Sequence, residues 1–124
     1  MVEELKAAFG RSEEDEQVKV VVLAAAGDAF CAGADLAYLQ QLQNNTYEEN
    51  LADSASLMAL FRQIYLLDKV VIARIQGHAI AGGCGLATVC DFSFTVPEAK
   101  FGYTEVRIGF IPAIVKVFLL RIIG

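Results

Sequence analysis

The stretch "VVIARIQGHAIAGGCGLATVCDF", residues 70–92, decides the fold. Its first part, "VVIARIQG" at 70–77, is a β-branched run that reads as a buried strand. The adjacent glycines Gly82 and Gly83 lead into a helix near 83–90, and "DFSFTV" at 91–96 alternates in the manner of a further strand. Working outward, the same order occurs upstream. "VKVVVLAA" at 18–25 reads as a strand buried on both faces, "AGDAFCAGAD" as a glycine-containing loop, and "DLAYLQQLQ" at 35–43 as a helix. The rhyme is one of structure rather than of sequence. Strands and helices in alternation predict an α/β architecture.

The remaining segments fit around these two units. Residues 2–9 have helical spacing, and the charge run "SEEDE" at 12–16 reads as a solvated turn. Thr46 and Glu49 form a capping box ahead of a helix over 47–67. Leu51, Met58, Phe61 and Tyr65 line one face of that helix, and Leu57, Leu60 and Ile64 widen it. "PEAKFGYTEVRIGFIP" at 97–112 reads as loop with short extended pieces, and a last helix begins after Pro112. That helix, "AIVKVFLLRIIG", is apolar nearly all round, so it demands partners on several sides.

Bulk properties narrow the function. With 124 residues, 56% of them hydrophobic, the chain suits one domain with one core. A formal charge of −5 with no basic cluster argues against nucleic acid as a partner. The C-terminal apolar run is too short to span a bilayer, so no membrane partner is expected, and "MVEELKAAFG" reads as an amphipathic helix start rather than a signal peptide. Cys31, Cys84 and Cys90 lack the paired short spacing of a metal site and read as buried reduced thiols. The expected compartment is the cytoplasm. His78, the single histidine, is the only base that can pair with a catalytic cysteine, and a structural role is favoured for it.

The glycine loops suggest chemistry of their own. A helix N-terminus presents unpaired N–H groups at the positive end of its dipole. Two such ends aimed at one oxygen make an oxyanion hole. The competing readings are tight helix–strand packing and a phosphate cradle. The second is weak, because neither loop carries G-K-[ST] or G-x-G-x-x-G.

Three motifs in order, "AFCAGADL" (29–36), "GHAIAGGCGLATVCD" (77–91) and "FGYTEVRIGFIP" (101–112), resemble the crotonase family of enoyl-CoA hydratases and isomerases. The resemblance covers essentially the whole chain. It implies a spiral of β-β-α turns, incomplete here at both ends, with residues 1–124 forming a partial acyl-CoA-binding core that lacks the opening strands and the C-terminal helical region. It implies a lyase of fatty-acid metabolism acting on an acyl-CoA thioester, with no cofactor apart from the coenzyme A of the substrate and no metal. The complete protein is expected to be a homo-oligomer, a trimer or hexamer.

Carried over by motif, the resemblance places the oxyanion-hole N–H groups at Ala34 and Gly82 and the acid–base carboxylate at Glu105. Ala32, Gly33, Ala34, Asp35 and Leu36 would border the coenzyme, and Gly82, Gly83, Gly85, Tyr103 and Glu105 the acyl group. Asp35 also suits a helix cap, and Asp91 a hydrogen-bonding role where a strand starts. One position departs from the family pattern. Gly85 stands where hydratases carry a second glutamate, leaving Glu105 to act alone or with a water in the vacated space, which could also admit a bulkier acyl group. Gly85 with Ala113 and Ile114 resembles the methylglutaconyl-CoA hydratase branch of leucine degradation. An isomerase and a non-catalytic acyl-CoA-binding or assembly module are the alternatives.

Overall fold

Six short strands and five α-helices alternate along the chain, and the computed structural model describes all residues, 1–124. Helix α1 (Val2–Glu14) leads to β1 (Val20–Ala24) and β2 (Ala29–Cys31), followed by α2 (Leu36–Leu42) and α3 (Tyr47–Leu66). Next come β3 (Val70–Ile75), β4 (His78–Ile80) and α4 (Gly82–Val89). The last turn holds β5 (Phe92–Thr95), β6 (Phe101–Gly102), a 3-10 turn at Glu105–Ile108 and α5 (Ala113–Ile123).

Each β-β unit gives one strand to each of two parallel sheets, ordered β1-β3-β5 and β2-β4-β6. In the first, Val22 pairs with Ile72 and Ile72 with Phe92; in the second, Ala29 pairs with His78 and Ala79 with Phe101. The spiral of β-β-α turns is thus present. The second sheet revises the reading of "AGDAFCAGAD" as loop throughout, since Ala29–Cys31 is β2. It also makes His78–Ile80 a strand where only a lead-in to the glycine pair is legible. Strands of three residues carry too few alternations for a period to register.

Helix α1 runs past residue 9 to Glu14, so Ser12–Glu14 of the charge run are helical rather than part of a turn. Two local contacts explain the extension. The Ser12 hydroxyl donates to the Ala8 carbonyl at 2.9 Å, and the Lys69 ammonium donates to the carbonyls of Ser12 and of Asp15, the latter at 2.6 Å. A cation on the last carbonyls complements the helix dipole. The capping box of α3 is complete: the Glu49 N–H donates to Thr46 Oγ1 at 3.2 Å, and the Thr46 N–H to Glu49 Oε2 at 2.8 Å.

The core lies between the first sheet and α1, α3, α4 and α5. Phe9, Leu60, Phe61, Ile64, Val71, Ala73, Ile75 and Ala79 are essentially dry. Phe118 of α5 meets Phe61 edge-on with centroids 6.1 Å apart. Leu51, assigned to the apolar face of α3, is instead exposed, because its turn extends beyond α1 and the sheet. Likewise β1 is buried on one face only. As an edge strand with helices on one side, it leaves Val20 and Val22 at 48% and 55% exposure, beside exposed Phe92 and Phe94. Asp91 ties β5 to β3 through a 2.7 Å bond accepted from the Val71 N–H, the role read for it from sequence.

Candidate active site at two converging loops

The loops after β2 and β4 touch each other. Gly33 adopts φ +93°, and a Cβ built on it would lie 3.0 Å from Ala81 Cβ and 3.8 Å from the Gly82 nitrogen. Ala34, the next residue, is exposed beside this contact. Asp35 then caps α2, accepting from the Ala37 N–H at 3.1 Å, and Leu36 is 73% exposed at the helix start. Thus Ala32–Leu36 forms an open rim next to the start of α4.

Ala81 is the one non-glycine residue with positive φ (53°, with ψ −121°). Such a conformation costs about 1–3 kcal/mol and persists only where its surroundings enforce it. Here the Ala81 N–H donates to the Gly102 carbonyl of β6 at 2.7 Å, and the Ala81 carbonyl accepts from the Gly85 N–H at 3.1 Å. The turn brings the start of α4, whose first N–H groups have no acceptor inside the helix, next to the Gly33 loop.

The three glycines of α4 have three different reasons. At Gly83 a Cβ would lie 2.0 Å from the Cys31 carbonyl oxygen, so this glycine lets α4 press against β2. Packing, the competing reading of the glycine pair, therefore holds at Gly83. At Gly82 a Cβ would meet nothing within 4 Å, and its space is open. At Gly85 it would lie 2.2 Å from Val115 Cγ1 and 3.2 Å from Phe61 Cζ. The space expected to hold a water or a larger acyl group is filled by α5 and α3. Gly85 is buried and faces the core.

Glu105 opens the 3-10 turn after β6, and its Oε2 is buried without a hydrogen-bond partner. A carboxylate oxygen removed from water and left without a donor is costly, and such a group calls for a partner such as a water, an ion or a substrate. Gln76 Oε1 is the other buried oxygen in this position. Tyr103, two residues before Glu105, is partly buried, with its hydroxyl 2.8 Å from Thr88 Oγ1 on α4. Burial pushes the Tyr103 hydroxyl up to about 12, with the nearby Cys84 and then the Glu105 charge adding smaller pushes. The phenol is therefore neutral at physiological pH.

The structure thus gathers Ala32–Leu36, Gly82 and Gly83 at one pair of loops, and ties the segment bearing Tyr103 and Glu105 to the same place through Ala81 and Thr88. Gly85 stands apart. Thr88 escaped the sequence reading, although a threonine four residues after Cys84 on a short apolar helix is a visible polar exception; its hydroxyl donates to the Cys84 carbonyl at 2.9 Å. A surface cleft lined by Leu42, Gln43, Asn50, Asp53, Ser54 and Phe110 includes none of these groups.

His78 lies exposed in β4 and accepts the Lys100 N–H on Nδ1 at 3.1 Å, a structural role. All three cysteines are free, and burial followed by the nearby Asp91 charge pushes the Cys90 thiol up to about 12. Since the thiolate is the reactive form, Cys90 of the folded chain should resist iodoacetamide at pH 8 and react once urea unfolds it. Rapid alkylation of Cys90 in the native chain would contradict the buried, protonated assignment. No group of three or more His, Cys, Asp or Glu side chains is placed to hold a metal ion, and no helix is long and apolar enough to cross a membrane.

The sequence profile for enoyl-CoA hydratase/isomerase matches residues 1–124. The chain belongs to the enoyl-CoA hydratase/isomerase family. Among relatives, a Thermus thermophilus protein bearing an enoyl-CoA hydratase name is 48% identical over 112 residues, covering 90% of this chain and 44% of its own length. The crotonyl-CoA hydratase of Syntrophomonas wolfei is 38% identical over 110 residues, covering 88% and 41%. A Legionella pneumophila crystal structure described as an enoyl-CoA hydratase/isomerase (crotonase) superposes with a TM-score of 0.95 at 41% identity, over 99% of this chain and 48% of that one. The chain spans less than half the length of these family members, and the crotonase-like spiral read from its motifs is the fold they share.

Proposed function

We propose that residues 1–124 form the thioester-binding and acid–base core of an acyl-CoA hydratase, with Glu105 as the proton-handling group. The observation that carries the reading is the buried, unpartnered Oε2 of Glu105, on a segment bonded to the turn that opens α4. In the proposed reaction Glu105 takes a proton from water as the water oxygen bonds to C3 of the enoyl thioester. The C2–C3 π pair shifts to C1–C2 as the carbonyl π pair moves onto the thioester oxygen, where the N–H groups of Ala34 and Gly82 stabilise the enolate. The carbonyl then re-forms as C2 takes the proton from Glu105. Each donor of such a pair is typically worth about 3–4 kcal/mol of transition-state stabilisation.

Ala32, Gly33, Asp35 and Leu36 would border the coenzyme, and Gly83 and Tyr103 the acyl side. Gly85, packed against Val115 and Phe61, would contribute only by supplying no second carboxylate. The methylglutaconyl-CoA specificity belongs to the same proposal, resting on Gly85, Ala113 and Ile114, and assembly as a trimer or hexamer would complete the protein. The missing carboxylate also favours a second reading, an isomerase in which Glu105 moves a proton between carbons.

The test joins residues 1–124 to the flanking segments of the Syntrophomonas wolfei crotonyl-CoA hydratase and follows hydration of crotonyl-CoA and 3-methylglutaconyl-CoA. Glu105→Gln is expected to lower kcat roughly 100-fold or more, the scale of a lost acid–base group, while thioester binding persists. Turnover indifferent to the substitution would remove Glu105 from the reaction. A folded protein that binds thioesters yet hydrates neither would leave isomerisation, or binding alone, as its activity.

A further inference from the structure

Position 85 is closed over by Val115, and the Tyr103 hydroxyl reaches α4 from outside the helix, at Thr88. We infer that the Tyr103–Thr88 hydroxyl pair is a positioning device that holds Glu105 in fixed register with the N–H groups at the start of α4. The inference rests on the hydratase reading above, gives Tyr103 a second role within it and adds Thr88, which no motif had marked.

The geometry argues as follows. The Glu105 carboxylate has no hydrogen-bond partner on Oε2, so that oxygen is held in place by the backbone leading to it. That backbone is fastened to the α4 unit at two successive residues. The Gly102 carbonyl accepts from the Ala81 N–H at 2.7 Å, and Tyr103 reaches Thr88 with its hydroxyl. Either hydroxyl of the second bond could donate on distance alone, and the neighbouring carbonyl favours one direction. Thr88 commits its proton to the Cys84 carbonyl at 2.9 Å, so its oxygen accepts and Tyr103 donates. The proton chain therefore runs from Tyr103 through Thr88 into the helix backbone, away from Glu105. A relay of that direction fixes a side chain and transfers no proton to substrate. Beyond this anchor, the 3-10 turn is closed by its own bonds, from the Arg107 N–H to the Thr104 carbonyl and from the Phe110 N–H to the Glu105 carbonyl, each at 3.0 Å. Glu105 thus sits on a stiff turn whose attachment is to the helix that presents Gly82. Displacing a reacting group by about 1 Å can cost on the order of 100-fold in rate.

The experiment uses the extended protein described above, assayed with crotonyl-CoA and monitored for folding by thermal denaturation. Tyr103→Phe and Thr88→Val are each expected to lower kcat roughly 10- to 100-fold with KM little changed. The double variant should be no worse than either single, because both break one anchor, and Thr88→Ser should restore kcat by keeping the hydroxyl. Full kcat in both single variants overturns the inference, as does a loss for Tyr103→Phe that Thr88→Val does not reproduce. A rise in KM alone would make Tyr103 a wall of the acyl site and equally overturn it. Absence of any hydration by the unsubstituted extended protein is a different failure, and it sinks the hydratase reading instead.

Discussion

Gly83→Ala is expected to destabilise the chain by about 3 kcal/mol, the upper part of the range for overpacked sites. The added methyl would sit 2.0 Å from the Cys31 carbonyl oxygen and 2.7 Å from its carbonyl carbon and Cβ. These are largely main-chain atoms of β2, which cannot swing aside as a side-chain tip can. Helix α4 would have to back away from β2, straining the bond from Ala81 to Gly102 that holds its first turn. Alanine's better helix propensity returns only about 1 kcal/mol. Since whole domains are stable by about 5–15 kcal/mol, the loss should appear as a clear drop in the urea midpoint with little change in slope. Gly82→Ala is the matched control: its methyl meets nothing within 4 Å, so the midpoint should barely move. Equal midpoints for the two variants would refute the close-approach argument.

Gly85→Glu should be at least as damaging. Its Cβ would lie 2.2 Å from Val115 Cγ1, and its carboxylate would enter an apolar layer where Val115 is 5% and Phe61 1% exposed. Overpacking there costs about 1–3 kcal/mol, and an unpaired buried charge adds more. The diagnostic is the second substitution. Val115→Gly by itself leaves a cavity and a glycine within α5, and is destabilising. Combined with Gly85→Glu it removes the obstructing methyls, so the double variant should lose less than the sum of the two single losses, with a coupling of about 1–3 kcal/mol. Strict additivity in denaturant melts would mean that Val115 does not occupy the glutamate's place. Gly85 and Val115 therefore form one steric unit, and placing a carboxylate at position 85 demands changing both.

Much of this arrangement is legible in the residues themselves, and the illegible parts share a cause. Val20–Ala24 and Val70–Ile75 stand out because β-branched runs mark strands. Thr46, Asp35 and Asp91 announce their roles because each acts on backbone within a few residues or on the neighbouring strand. Ala29–Cys31 and His78–Ile80 were not announced, since three-residue strands exist only through partners supplied by another turn of the spiral. Leu51 and the outer face of β1 were misjudged for a related reason: composition shows that a residue is apolar, not whether an element arrives to cover it. At the candidate site, the two glycine loops were visible in the residues, and Glu105 was singled out only through the family resemblance. Sequence alone could not tell that Gly83 faces Cys31, that Gly82 faces open space, or that Val115 reaches Gly85, because each fact is a distance between separate segments. Thr88 was missed because its partner, Tyr103, lies beyond the helix and two intervening strands.

The two parallel sheets carry a consequence for how the chain reaches this state. Val20 pairs with Val70, fifty positions on, and Ile72 with Phe92, twenty positions on, while no two consecutive strands pair with each other. No strand can therefore zip up from a hairpin. Only the helices have local contacts to build on, and the closure entropy of long segments must be met before either sheet gives anything back. Refolding from denaturant should accordingly begin with helical signal and gain its sheet later and slowly. Until the sheets close, β-branched segments such as Val20–Ala24 and Val70–Ile75 are exposed to intermolecular pairing.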